Sequence, residues 1–462
     1  MHLSGLKRTL GDRAFYKQML SIAIPVALQQ LITVGINLMD TMMLSHMGDA
    51  QLSASSLAGQ FINMFHIFCM GIGMGASVLT ARYWGMKDLH SLRKSITIMM
   101  RLGAVFVAGF TIWTIVSPTG VMSMYTTDAD IIAYGCQYLY YMIPCFFCMA
   151  FSTVCTIVLR TCRQVKIPLV CSVCAFFINI FCNWVFIFGN LGAPRMEIAG
   201  AALGTLIARV FELVFICGYF FFVDKRISYR LKHLFMRCGD LAGTYFRTAI
   251  PVLISDGLLG LGNNAVSMVM GRIGRTFVAA NSVTAVVQQL STVLIQGVSN
   301  ASGIITGNTL GEGDIEKTQQ QAISFVGVGC MLGIFAAILI QIFKMPLVNF
   351  YQVSDETREI ALELMNSITI IVVFQAMNSI LTKGVLRAGG DTRFLMAGDV
   401  LFLWVASVPL GILAGLVLHW PAFWIYMMLK IDQILKCALG LWRLSSGKWM
   451  KRIERAKEAC AQ

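Results

Sequence analysis

Charged side chains are scarce in this 462-residue chain: Asp, Glu, Lys and Arg make up 13% of it, about half the usual soluble share of ~25%. So few ionised groups cannot keep two or three ordinary soluble domains in water, so that class is excluded. The six histidines are scattered and suggest no catalytic cluster. No phosphate loop ending in Gly-Lys-Ser/Thr is present, which argues against an ATP-driven pump powered by this chain. Gly71-Ile72-Gly73-Met74-Gly75 follows no strand and lies inside an apolar run, so close helix packing explains it better than nucleotide binding. A membrane-embedded enzyme such as an acyltransferase needs a convergent acid, base or nucleophile set, and none stands out. Two cysteine pairs have metal-like spacing, Cys145-Phe146-Phe147-Cys148 and Cys171-Ser172-Val173-Cys174. Both sit in apolar helices without nearby histidines, a poor setting for zinc. Most of the 14 cysteines fall inside apolar runs, where they act as small packing residues, so few or no disulfides are expected. The polar stretch Met1 to Gln18 is followed by no short apolar core with a cleavage site, so no cleaved signal peptide is expected.

What is abundant is apolar: 57% of residues are hydrophobic and the mean hydropathy is +0.72. The solvent for most of this chain is therefore lipid. Apolar stretches long enough to cross ~30 Å of hydrocarbon begin near residues 18, 53, 97, 131, 167, 197, 246, 277, 320, 357, 395 and 421. Twelve spans bring both termini to one side. On that side lie 27 of the 36 Lys and Arg residues, whereas the opposite loops hold only Arg195, Arg272, Arg275, Lys344 and Arg358. This asymmetry predicts a multi-pass protein of the cell membrane with both termini in the cytoplasm. The net charge of +13 points to anionic lipid rather than nucleic acid, because the basic residues gather in short loops between spans.

The chain also repeats itself. Ala23-Ile24-Pro25-Val26 recurs as Ala249-Ile250-Pro251-Val252, and 251 − 25 gives an offset of 226. The same offset carries Gly48 onto Gly274, Thr80 onto Thr306, Gly85 onto Gly311 and Asp88 onto Asp314. With one residue inserted, Leu159-Arg160 maps onto Leu386-Arg387. Six spans per copy is an even number, so the copies are parallel repeats about an axis along the membrane normal. The predicted fold is an all-α polytopic membrane protein, two six-helix bundles at residues 1–223 and 246–442, a cytoplasmic linker at 224–245 and a basic cytoplasmic tail at 443–462. Two matched bundles around a cleft suit alternating access by a secondary transporter.

Several segments, taken in order over nearly the whole chain, carry a resemblance. They are Pro25 to Gly48 with Asn37-Leu38-Met39-Asp40-Thr41, Thr80-Ala81-Arg82-Tyr83-Trp84-Gly85, Asn179 and Asn183 before Ile187-Phe188-Gly189, Ile198-Ala199-Gly200-Ala201-Ala202-Leu203-Gly204-Thr205, and Leu386-Arg387-Ala388-Gly389-Gly390-Asp391-Thr392. The sequence resembles the multidrug and toxic compound extrusion (MATE) family of cation-coupled efflux transporters. The resemblance implies V-shaped lobes and export of amphiphilic, often cationic compounds in exchange for Na⁺ or H⁺, with no bound cofactor.

An ionised side chain near the bilayer centre costs at least ~2.5–3.5 kcal/mol, so each one in a span requires a reason. Asp40 shares a helix face with Asn37 in the first span, and Asn179 and Asn183 are four apart in the fifth. A carboxylate ringed by amide oxygens suits Na⁺. Burial disfavours the ionised form, which suits proton exchange. By resemblance, the first-lobe cation site falls on Asp40, Asn179, Asn183 and Thr205. Some relatives have a second carboxylate where this chain has Asn183. The competing reading makes Asp40 a hydrogen-bonded aspartate near the outer interface.

Asp256 follows Pro251 by five residues, where many members of the family carry glutamate. It is a candidate for a second cation or substrate site, against a plain packing role. Gln30 is its partner under the offset. Further polar candidates within spans are Asn263, Gln288, Gln375 and Asn378, together with Gln29, Gln60, Asn63, Asn264 and Gln289. Asp399 reads as an interfacial residue with a lesser claim on transport. Arg209 and Glu212, three apart, read as an internal ion pair. Met39, Met43, Phe61, Phe65, Met268 and Met270 are candidates to line a pocket for organic cations. The expected partners are small organic cations or other amphiphiles and membrane lipid, with the protein as a monomer. A lipid-linked oligosaccharide or lipid flippase of the same superfamily is the alternative. It would need a cationic cavity, and intramembrane cations are few.

Overall fold

The structure, a computed structural model, describes residues 13–45, 49–126, 128–350 and 354–451. Lys7 and Arg8 of the N-terminal segment, Gly48 of the repeat and the tail beyond Lys451 lie outside the described residues. The long helices, in chain order, are α1 Arg13–Ser45, α2 Asp49–Gly85, α3 Leu89–Val116, α4 Ala129–Thr161, α5 Lys166–Phe188, α6 Ile198–Gly218, α7 Gly239–Ile273, α8 Arg275–Glu312, α9 Ile315–Phe350, α10 Asp355–Asn378 and α11 Thr392–Val400. Wider π-type turns continue α6 through Tyr219–Val223 and α10 through Ser379–Leu386, and α11 runs on to Val417 through two more. Eleven of these helices are long and apolar enough to cross a membrane among the described residues. The span expected near 421 is broken into α12 Ala422–Leu429 and α13 Asp432–Ser445, joined by a turn at Lys430 and Ile431.

Several helices begin ahead of their apolar runs because polar caps extend them. Helix α3 starts at Leu89 rather than near 97, with the Asp88 carboxylate accepting a hydrogen bond from the Ser91 N–H. Prolines inside the helices lie at Pro25, Pro144, Pro251 and Pro346, and each removes one backbone donor from its ladder. Pro25 and Pro251 are repeat equivalents, so α1 and α7 share the interruption.

The chain separates into two compact units. One holds the described residues up to Ala27, Ala81–Lys87 and those from Ile250 onward; the other holds Leu28–Thr80 and Asp88–Ala249. In the second unit, Phe61, Phe65, Phe110 and Phe146 form an aromatic core with centroids 4.8–6.2 Å apart. Phe61 and Phe65 are therefore core residues rather than pocket lining. Met270 is likewise buried, in the core of the first unit, while Met268 is 72% exposed.

Within the first unit the ends of α2 and α8 cross with almost no space between them. A Cβ on Gly85 would overlap the backbone of Asn308, and a Cβ on Gly311 would overlap the backbone of Arg82. These are repeat-equivalent positions, since 311 − 85 and 308 − 82 both give 226. Glycine is required at both because the helices meet backbone to backbone. Arg82, 2% exposed, donates to the carbonyls of Ala388 and Lys451. Beyond α13, Trp449 is fully buried against Gly389 and donates to Gln319 at 2.9 Å. Arg443 and Lys451 both pair with Asp391, at 2.6 and 3.0 Å.

Candidate functional site

Helix α5 is apolar all round except on one stripe. Its buried residues include Cys171, Ala175, Asn179, Asn183 and Ile187, one per turn, so both asparagines face the interior. Helix α6 lies close against that stripe because its first turns are small. Gly200 abuts the Phe186 backbone, and a Cβ on Gly204 would overlap the Asn183 side-chain oxygen. Asp40 reaches the same place from the last turns of α1.

The result is a chain of hydrogen bonds across three helices. Asn183 Nδ2 donates to Asp40 Oδ1 at 2.5 Å and to Asn179 Oδ1 at 3.3 Å, and Asn179 Nδ2 donates to Thr205 Oγ1 at 3.4 Å. Asn179 and Asn183 are 1% and 0% exposed, while Asp40 is half-buried. Among the described residues, Asn183 Oδ1 is buried with no hydrogen-bond partner. The four residues assigned by resemblance thus converge, and Asn37 sits exposed one turn before Asp40 on α1. The amide turned towards the carboxylate is a donor, so Asp40 is met by an N–H group rather than ringed by oxygens.

Two neighbours complete this surface. Arg209 follows Thr205 by one turn of α6 and donates to Glu212 at 2.7 Å, the ion pair its spacing predicts. Arg209 is also close enough to Asp40 for the two charges to interact. Met43 and Tyr138 pack beside Ile187 and Ala201 next to the site. The sequence gives Arg209 a partner three residues away but no sign of its reach to α1.

In the other unit the second group of candidates separates into distinct bonds. Asp256 accepts from two nitrogens of Arg387, at 2.8 and 3.2 Å. The first half has the equivalent arginine, Arg160, donating to Gln29 Oε1 at 2.5 Å. Gln288 Nε2 donates to Gln375 Oε1 at 3.0 Å, and Tyr426 donates to Gln288 at 3.2 Å. Asn378 donates to Gln433 at 2.9 Å, and Asn263 accepts from Lys430 at 3.3 Å. Gln30 is half-buried in the unit that holds Asp40 and so belongs to a different neighbourhood from Asp256.

Asp399 is tied into the protein interior: it accepts from Ser255 at 2.6 Å and pairs with Lys436 at 3.3 Å, and Lys436 also pairs with Asp432 at 3.0 Å. Asp432 further accepts from Ser407 and Gln433. A carboxylate this enclosed needs the ammonium and hydroxyls around it. Neither partnership is readable from spacing, because Ser255 and Lys436 lie on helices far from Asp399 in the chain.

Comparison with known proteins gives the family. The family model MatE matches residues 25–185 and again 251–413, and the two matches begin 226 residues apart (251 − 25). The chain belongs to the MATE family. It is similar to a probable multidrug resistance protein NorM of Thermotoga maritima, 24% identical and covering 96% of both chains. It is also similar to an uncharacterized transporter, YisQ, of Bacillus subtilis, 22% identical over 96% of each. Among solved structures, one described as the outward-facing conformation of a multidrug resistance MATE family transporter of the MOP superfamily has a TM-score of 0.85 at 18% identity. That match covers 97% of this chain and 99% of the other. A MOP superfamily transporter from Pyrococcus furiosus aligns with a TM-score of 0.84 at the same identity. These likenesses establish the MATE fold and a multi-pass membrane protein in a family of ion-coupled antiporters, whose members are transporters and not enzymes.

Proposed function

We propose that this MATE transporter exports amphiphilic, often cationic organic compounds in exchange for Na⁺ or H⁺, and that Asp40 carries the coupling ion. The supporting observation is the convergence of Asp40, Asn183, Asn179 and Thr205 from three helices, with one buried amide oxygen left without a partner. One carboxylate, two amide oxygens and a hydroxyl suit a hard monovalent cation, and a lone half-buried carboxylate equally suits a proton. In either case the Asn183 amide responds to the charge on Asp40. It donates to the bare carboxylate, and rotation by half a turn offers the orphaned oxygen to a bound cation or to the hydroxyl of a protonated Asp40.

In this reading the repeats, 1–223 and 246–442, move against each other while the protein sits as a monomer in the cytoplasmic membrane with both termini inside. Asp256 with Gln288, Gln375, Asn378 and Asn263 supplies a second group of polar contacts for substrate or cation. Asp256 can serve there only when its bond to Arg387 is exchanged. Against the flippase alternative, Arg209, Arg387 and Lys436 each hold a carboxylate; only cations such as Arg160 and Lys430, which meet amide oxygens, would be left for a lipid pyrophosphate.

Asp40→Asn keeps the size of the side chain and one acceptor oxygen for Asn183 but removes the charge. Efflux of ethidium from cells expressing this variant should fall at least tenfold, to near background. Undiminished ion-driven efflux would rule out the role. Dye uptake into proteoliposomes under separately imposed Na⁺ and H⁺ gradients identifies the ion.

A further inference from the structure

The linker between the two halves is not a loose tether. Helix α3 presents Arg93, Thr97 and Arg101, one per turn, and all three bind linker carbonyls. Arg93 donates to Ile227 at 2.9 and 3.0 Å, Thr97 to His233 at 2.9 Å, and Arg101 to Leu234 at 2.7 Å and Met236 at 3.0 Å. Tyr229, fully buried, shares a hydrogen bond of 2.8 Å with Thr97. Asp224 accepts from Gln164 and from the N–H of Ile227, both at 2.8 Å, and fixes the first turn. Burial, with Arg93 and Lys232 nearby, holds the His233 imidazole below its usual range. That imidazole is therefore neutral at physiological pH, as its acceptance of the Arg230 N–H at Nδ1 requires.

This clamp sets the depth of the segment. Arg101 is the last charged residue of α3, and everything from Leu102 to Val116 is uncharged. The linker backbone it holds therefore lies where that helix turns wholly apolar, at the boundary between headgroups and acyl chains. There the short helix Leu231–Phe235 points Leu231 and Phe235 outward, 51% and 86% exposed, and Phe222 next door is 71% exposed. Lys225, Arg226, Lys232 and Arg237 are exposed between them, and none takes part in an ion pair among the described residues. The one acid in the segment, Asp224, is 1% exposed and already bonded. Apolar side chains interleaved with uncompensated cations at interface depth match a surface of anionic headgroups over acyl chains.

We infer that the linker from Phe222 to Arg237 is an interfacial anchor that binds anionic phospholipid of the leaflet on its own side of the membrane. Phe235 and Leu231 enter the acyl boundary, and the four exposed cations take the headgroup phosphates. The inference is independent of which ion or substrate is transported. It assigns the linker to the membrane and not to an acidic protein partner.

Full-length protein carrying the photoreactive residue p-benzoyl-phenylalanine at position 235 tests this. It is reconstituted into nanodiscs containing equal amounts of phosphatidylglycerol and phosphatidylethanolamine. Illumination should give lipid adducts by mass spectrometry, with phosphatidylglycerol several-fold in excess. Each cation near an anionic leaflet contributes roughly a fivefold preference at most. Lys225→Gln, Arg226→Gln, Lys232→Gln and Arg237→Gln together should therefore bring the ratio close to one while lipid adducts persist. The same probe at position 177, where Phe177 is 64% exposed on α5, should show no headgroup preference. Equal capture of the two lipids at position 235, or adducts to protein with none to lipid, would overturn the inference. Gel filtration and thermal melting confirm that the quadruple variant is folded.

Discussion

At the scale of single residues, Asn183 is where the proposed first-half site carries an amide in place of a second carboxylate. Its amide lies 2.5 Å from Asp40 and supplies a hydrogen bond where a second carboxylate would supply charge. Asn183→Asp would set two like charges side by side, and only a cation or proton between them makes that arrangement favourable. The variant should bind Na⁺ about tenfold more tightly, a gain of roughly 1.4 kcal/mol, measured as the Na⁺ concentration giving half-maximal dye transport in proteoliposomes. Unchanged Na⁺ dependence would mean that position 183 does not face the ion. Arg209 and Glu212 were readable from sequence because their pairing is local to one helix turn. Asp256 and Arg387 were not, because their bond joins residues 131 apart, and hydropathy cannot say which distant charges will meet. The same holds for Asp399, whose partners come from the seventh and last spans.

At the scale of elements, apolar length was a good guide to where helices run and a poor one to how they end. The boundaries shifted because capping side chains extend the helices past the hydrocarbon. The breaks in the second half escaped notice because wider π-type turns keep the chain apolar while changing its periodicity. The end of the chain shows the same limit. Arg443 onward reads as a basic tail by composition, yet Trp449 is 0% exposed and is seated on Gly389, a residue that tolerates no Cβ there. Trp449→Ala removes the largest of the fully buried side chains, a loss of about 3–5 kcal/mol by comparison with other core aromatics. Thermal unfolding in detergent should shift down by several degrees, and a protease should cut within residues 443–451 far faster than in the parent protein. A melting curve that does not move would show the tryptophan to be dispensable.

At the scale of the molecule, the duplication was legible at once. A match of four residues in register, an offset of 226 and an even number of spans were enough to specify parallel repeats, and the two family matches carry that same offset. What could not be read was how the divided helices share themselves out. The early part of α1 and the end of α2 pack in the unit that contains the second half, and no local pattern marks the crossing points at Ala27 and Thr80. The proposed orientation is open to direct measurement. Green fluorescent protein fused after Gln462 should fluoresce, and alkaline phosphatase fused at the same point should be inactive. The reverse pair of results would invert the topology and move the basic loops to the outer face.

The seat that Gly85 and Gly311 give to each other's helices makes one position of the repeat serve twice. A methyl group at either glycine would wedge the same two backbones apart, so the two positions tolerate change only together, and the crossing is as demanding on one copy of the repeat as on the other.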